Sequence, residues 1–184
     1  MPEGIVTTNK KMIELNNYES ILIVEDVKSL RIIVNDILRA LQDKPIIYLN
    51  LTNTYNSLVS NLKKDGLNIN NILFIDCITQ LAGGNVSNQE NVLFIKEPND
   101  LTGLGIAISK FFESIPSEKW LVFYGFNILK IYNKEDIILR FIQSIFENAS
   151  ANNAKLVILS TQIKNDSLIK RMAHFFEKVV MEIE

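Results

Sequence analysis

Six short runs, almost wholly apolar, punctuate the chain: Ile21-Leu22-Ile23-Val24, Ile46-Ile47-Tyr48-Leu49, Ile72-Leu73-Phe74-Ile75, Val92-Leu93-Phe94-Ile95, Leu121-Val122-Phe123-Tyr124 and Leu156-Val157-Ile158-Leu159. None alternates apolar with polar residues. A strand with one wet face shows that alternation, so these runs belong in a sheet covered on both faces. The intervening segments are longer and amphipathic. Leu30, Ile33, Val34, Ile37, Leu38 and Leu41 form one broad helical stripe that must pack on a sheet. Buried strand alternating with amphipathic helix predicts an α/β fold, a three-layer αβα sandwich around a mostly parallel sheet of about six or seven strands. Val179-Val180-Met181 supplies the seventh, near an edge.

Local signals set the boundaries. Helices are expected from Val27 to Leu41, Tyr55 to Lys64, Lys134 to Asn148 and Asp166 to Phe176, with another starting at Pro98-Asn99-Asp100 and ending before Pro116. Asp65-Gly66 closes the second of these, since glycine takes the left-handed position past a helix end. The polar stretch from Leu81 to Glu90 reads as a loop or flap. Residues 1–19 read as an N-terminal extension, the first fifteen or so detachable, and 20–184 as one domain. A length of 184 residues at 47% hydrophobic and 22% charged suits a single domain with a substantial core.

Composition removes several function classes. A formal charge of -2 without any Lys/Arg run offers no footprint for nucleic acid. One cysteine, Cys77, and one histidine, His174, cannot build a disulfide framework or a zinc site. The first twenty residues hold no apolar stretch that would act as a signal peptide. No run reaches the roughly 18 apolar residues that span a bilayer. No membrane is expected, and the expected compartment is the cytoplasm.

In open α/β sheets ligands bind beyond the carboxyl ends of the strands. A nucleotide-binding loop after the first of the six runs would read G-x-x-x-x-G-K-[ST], its glycines letting backbone N–H groups wrap a phosphate. Here Lys28-Ser29 matches the ending, but Val27 and Leu22 occupy the two glycine positions. Glu25 and Asp26 would oppose a triphosphate, and such opposition grows in a partly desolvated cleft. Backbone, length and charge all speak against a phosphate loop.

Glu25 and Asp26 end the first run, and Asp76 follows the third. On adjacent strand ends these three acids would form a cleft able to hold Mg²⁺ through carboxylates and water. Helix capping or solvation is the plainer reading of the same residues. The opening ILIVED is similar to the first strand of response-regulator receiver domains, with Asp76 as the phosphoacceptor. The receiver's Ser/Thr and Lys are absent, because the fourth run leads into Lys96-Glu97-Pro98 and the fifth into Gly125-Phe126-Asn127.

Taken in order, the segments resemble archaeal KaiC-like proteins of the RecA superfamily, in particular a divergent group without the nucleotide loop. The pieces are ILIVED, IIYLNLT with TYNSLVSNLKKDGL, NILFIDCITQLAGG, NVLFIKEPNDLTGLGIAI, KWLVFYGFNILKIYN and AHFFEKVVMEIE. Active members of that family end a strand with an acid that helps hold Mg²⁺, and Tyr124 stands at that position. The resemblance implies RecA/KaiC-like topology without a P-loop, and a non-catalytic domain, not an enzyme, that regulates or scaffolds through protein–protein contacts. It implies no cofactor, a protein partner and possible homo-oligomers. Nucleotide or small-ligand binding without hydrolysis is the alternative, and a receiver-like phosphoacceptor using Asp76 the third.

Other residues have plain readings. Cys77 is a small buried hydrophobe. His174 is a packing or capping residue, and Gly83-Gly84 a flexible turn. Phe111-Phe112 and the stretch from Phe123 to Phe126 are mostly core. Alternating faces would leave one ring of each exposed, as at a protein interface.

Overall fold

The computed structural model describes residues 4–7, 12–86, 90–163 and 166–181. The elements run β1 (Ile5–Thr7), β2 (Met12–Glu14), β3 (Ser20–Glu25), α1 (Val27–Ala40), β4 (Ile46–Asn50), α2 (Tyr55–Lys64), β5 (Ile72–Asp76) and β6 (Val92–Phe94). Then come α3 (Leu101–Ser114), β7 (Lys119–Tyr124), α4 (Leu129–Tyr132), α5 (Glu135–Ala151), β8 (Ala154–Thr161), α6 (Ser167–Met172) and β9 (Lys178–Met181). The apolar runs are strands, as their unbroken pattern predicts. Of the expected Leu81 to Glu90 loop, residues 87–89 lie outside the described residues.

Strands β3 to β9 form one seven-stranded sheet in the order β6-β5-β4-β7-β8-β3-β9. Every neighbouring pair in it is parallel. One face is covered by α1 and α2, which bury Leu30, Ile33, Ile37, Tyr55 and Leu58 against Ile21, Ile23, Tyr48 and Val122. The other is covered by α3, α5 and α6, which pack Leu104, Ile108, Phe112, Ile142 and Leu168 onto Leu22, Leu49, Phe123 and Ile158. Odd and even residues of each strand thus serve opposite cores, and both cores are apolar. Among the described residues, no helix is long and apolar enough to cross a membrane.

Three features depart from the sequence expectation. First, the segment read as a detachable extension forms an antiparallel hairpin, with β1 paired to β2. Val6, Ile13 and Leu15 enter the core beside α1, and Gly4 donates its N–H to the last-turn carbonyl of Ala40 at 3.3 Å. Second, the rings expected at the surface are inside: Phe111, Phe112, Phe123 and Phe126 are all buried. Helix α3 packs on the sheet and also against its neighbour α5, so adjacent positions on it both meet protein. Third, β7 begins at a buried lysine. Lys119 donates from Nζ to the carbonyls of Phe112, at 3.2 Å, and Asn152. Those carbonyls belong to the C-terminal ends of α3 and α5, where a cation meets the negative end of the helix dipole.

Leu15 is fully buried at the junction of hairpin and domain. Leu15→Ala is expected to lower the unfolding free energy by about 2–5 kcal/mol in urea denaturation. A change within about 0.5 kcal/mol, typical of a surface position, would mean that the hairpin does not belong to the cooperative unit.

Candidate functional site

Ligand crevices in α/β sheets open where neighbouring strands send their connections to opposite faces. Two such places adjoin here. β3 leads into α1 on one face while its neighbour β8 leads into α6 on the other. β4 leads into α2, and its neighbour β7 leads through α4 into α5 on the opposite face. Between them the strand ends enclose a cavity of about 180 Å³, bounded by Val27 and Leu30 of α1, Thr52 after β4, Tyr124 at the end of β7 with Gly125, Asn127 and Ile128 beyond it, and Thr161 of β8.

The β3–α1 junction is a single residue. β3 ends at Glu25, α1 begins at Val27, and Asp26 stands between them in extended conformation, φ -65° and ψ 159°. Its carboxylate accepts from the backbone N–H of Lys28 at 2.8 Å and of Ser29 at 3.1 Å, and from the Ser29 hydroxyl. Ser29's hydroxyl, then its N–H, holds the Asp26 carboxyl below the usual carboxylate range. Asp26 is therefore an N-cap, as the plainer reading of the sequence has it. The N–H groups that a phosphate would use are already bonded. Glu25 is buried at the strand end, and Val27 projects outward with 64% of its surface exposed.

The expected cluster of Glu25, Asp26 and Asp76 does not form. β3 and β5 are separated by β4, β7 and β8, and four inter-strand steps amount to about 19 Å. In a receiver fold, with strand order 2-1-3-4-5, the first and third strands are neighbours. Here the return of β7 and β8 pushes them apart. Among the described residues no group of three or more His, Cys, Asp or Glu side chains is placed to hold a metal ion.

Asp76 is buried, and both its oxygens are occupied. Oδ1 accepts from the N–H groups of Ile78 at 2.9 Å and Thr79 at 2.7 Å, and Oδ2 from the Thr79 hydroxyl at 2.9 Å. Thr79 Oγ1 in turn accepts from the N–H of Tyr55, the first residue of α2, at 3.0 Å. Asp76 thus fastens the exit of β5 to the start of α2. Cys77 is buried beside it, and burial pushes its thiol up, away from a reactive thiolate. His174 is exposed on the 3-10 turn Ala173–Phe175 before β9, toward the far edge of the sheet, so it neither packs nor partners Cys77. Gly83 and Gly84 spend their N–H groups on the carbonyls of Gln80 and Thr79, which makes them a turn and not an anion nest.

Thr52, Ile128 and Thr161, which the sequence did not single out, line the crevice with Tyr124, Gly125 and Asn127, which it noted only for what they lack. Gly125 has φ +83°, and a Cβ there would lie 2.7 Å from Thr52 Cγ2. Glycine is required on both counts, and it lets the exit of β7 press against that of β4, where Leu51 N–H bonds the carbonyl of Tyr124 at 3.2 Å. Thr161 donates its hydroxyl to Asn127 Oδ1 at 2.8 Å, tying β8 to the turn after β7. Tyr124 is half-buried at the mouth. Burial raises its hydroxyl pKa, with Arg31 pulling the other way. Only the strand order brings these residues together, and no local pattern announces it.

No family model matches the chain, and no curated protein matches it in sequence. Solved structures do match in fold. An uncharacterized protein from Pyrococcus horikoshii, crystallised in complex with an unknown peptide, is similar at TM-score 0.68 and 13% identity, over 87% of this chain and 75% of that one. A KaiC-like protein from Pyrococcus horikoshii is similar at TM-score 0.54 and 10% identity, over 80% of this chain and 64% of its own. The fold is therefore the α/β three-layer, KaiC/RecA-like one that the order of segments predicts.

The two acids lead to separable outcomes. Asp76→Ala leaves two N–H groups and a hydroxyl without their acceptor and is expected to cost about 2–4 kcal/mol in chemical denaturation. Asp26 has a depressed folded pKa, so its stabilisation is present above the unfolded value of about 3.9 and is lost as pH falls through the folded one. Asp26→Asn keeps a good cap but cannot titrate. Melting temperatures measured from pH 6 to 2 are expected to fall less steeply in this variant than in wild type.

Proposed function

We propose that this chain is a non-catalytic protein of the RecA/KaiC-like fold that regulates or scaffolds through protein–protein contacts. The observation that carries the reading is the one-residue β3–α1 junction sealed by Asp26. A helix N-terminus attracts one anion through its free N–H groups and its dipole. Here the chain supplies that anion itself. A triphosphate at the same place would displace a carboxylate and then face it at a few ångströms. Tyr124, at the position where active relatives carry an acid for Mg²⁺, brings no negative charge at neutral pH.

Size and surface point the same way. The apolar recess between the strand ends, about 180 Å³, is by itself smaller than the roughly 300–1,000 Å³ typical of small-molecule and cofactor pockets. Its lining includes the aliphatic side chains of Val27, Leu30 and Ile128, and Val27 is 64% exposed. Apolar side chains gathered at one end of a sheet suit a partner protein. The fold neighbour crystallised with a peptide supports the same direction.

Calorimetry of the full chain with millimolar ATP or ADP and Mg²⁺ is expected to give no binding heat, and phosphate release no rate above buffer. Saturable heat without phosphate release would replace the protein-contact reading by nucleotide binding without hydrolysis, and phosphate release above buffer would overturn the non-catalytic reading.

A further inference from the structure

The crevice continues past Tyr124 into a second, polar recess of about 130 Å³ between α1 and α2. Tyr124 lines both recesses, so they share a wall. The first offers aliphatic carbon from Val27, Leu30 and Ile128. The second offers the guanidinium of Arg31 and the amides of Asn53 and Asn61.

Several cations among the described residues have no carboxylate within 4.0 Å, and Arg31 is the one of them that lines the polar recess. Arg39, Lys44, Lys130, Lys155 and Arg171 each have a carboxylate within 4.0 Å. Arg31, among the described residues, has none, nor do the Tyr124 hydroxyl and the Asn61 amide have a hydrogen-bond partner there. One carboxylate of this chain, that of Asp65, borders the polar recess, and it is engaged by Asn35 Nδ2 at 2.8 Å. Asn35 lies one helical turn beyond Arg31, about 6 Å farther from the crevice mouth. The mouth therefore presents an unpaired guanidinium and a phenolic donor beside an apolar hole.

We propose that this crevice receives the carboxy-terminal residue of a partner protein, its aliphatic side chain in the apolar recess and its α-carboxylate on Arg31 and the Tyr124 hydroxyl. The inference rests on the protein-contact reading above and gives that contact its chemistry. Guanidinium and carboxylate match as a two-pronged pair. Tyr124, partly desolvated, stays a neutral O–H donor. The shared wall selects a chain end over an internal acid. In an extended peptide, successive side chains point to opposite faces, and same-face neighbours stand about 7 Å apart. A terminal residue carries side chain and carboxylate on one Cα, which is what two recesses meeting at Tyr124 require.

The test uses the full chain, followed by backbone amide NMR shifts, and three probes: acetyl-Gly-Ser-Leu as the free acid, the same peptide as its C-terminal amide, and N-acetylleucine. The expected result is saturable shifts at Val27, Thr52 and Gly125 with the free acid, and affinity weaker by about tenfold or more for the amide. Arg31→Gln, at an exposed position, is expected to keep the wild-type melting temperature and bind the acid no better than the amide. Equal binding of acid and amide, or shifts elsewhere on the surface, would overturn the proposal. N-acetylleucine, which carries the same side chain and carboxylate on one Cα, is expected to shift the same three residues, and its failure to do so would overturn the assignment of the contacts to the terminal residue. The two readings fail separately. Silence from the peptides with no nucleotide heat removes the crevice assignment alone, whereas nucleotide shifts at Val27 and Gly125 remove both.

Discussion

A parallel sheet covered on both faces leaves its strand ends as the part of the backbone that must find partners in loops. The central strands β4, β7, β8 and β3 follow that rule, with residues on both sides of each strand buried in the two cores. What the sheet itself can offer a partner is therefore gathered where its strands stop. How each strand stops decides what the surface there can do. β3 stops on Asp26, which turns at once into α1 and caps it. β5 stops on Asp76, whose oxygens bond the next turn and, through Thr79, the start of α2. β7 stops on Gly125, whose left-handed backbone lets the chain fold back against Thr52.

These three closures use up acids and amides that would otherwise be free for a ligand. An aspartate already accepting bonds from two N–H groups and a hydroxyl has little left for a cation. What remains at the strand ends is of another kind: aliphatic surface from Val27 and Ile128, a phenol and an unpaired guanidinium. Such a set recognises carbon and carboxylate together. It does not resemble the glycine-rich amide cradle that wraps a phosphate.

The elements were legible in the sequence because their signals are local. Unbroken apolar runs gave the strands, and Asp65-Gly66, Asp100 and Pro116 bounded helices within a residue or two of where they lie. The order of strands was not legible, because six apolar runs of similar length carry no label saying which pairs with which. Hence Glu25 and Asp76 were expected together and lie several strands apart. Burial of the hairpin was also hidden, since Val6, Ile13 and Leu15 are scattered among polar neighbours and enter the core only because α1 offers a face to them. Lys119 was hidden for the opposite reason. A lysine reads as surface, and its burial depends on two helix ends converging on it from distant parts of the chain.

The Asp26 cap also bears on how the fold holds itself together. Where a helix N-terminus is completed by a bound anion, the stabilisation scales with ligand concentration and disappears when the ligand leaves. Where it is completed by a side chain one residue before the helix, the stabilisation is present at every concentration and needs no loop long enough to encircle a phosphate. The two solutions compete for the same N–H groups, so a chain has one or the other. With the cap in place, α1 can begin directly at the end of β3. That brings Val27 and Leu30 over the strand ends and Arg31 beside Tyr124, so the tight junction itself shapes the crevice.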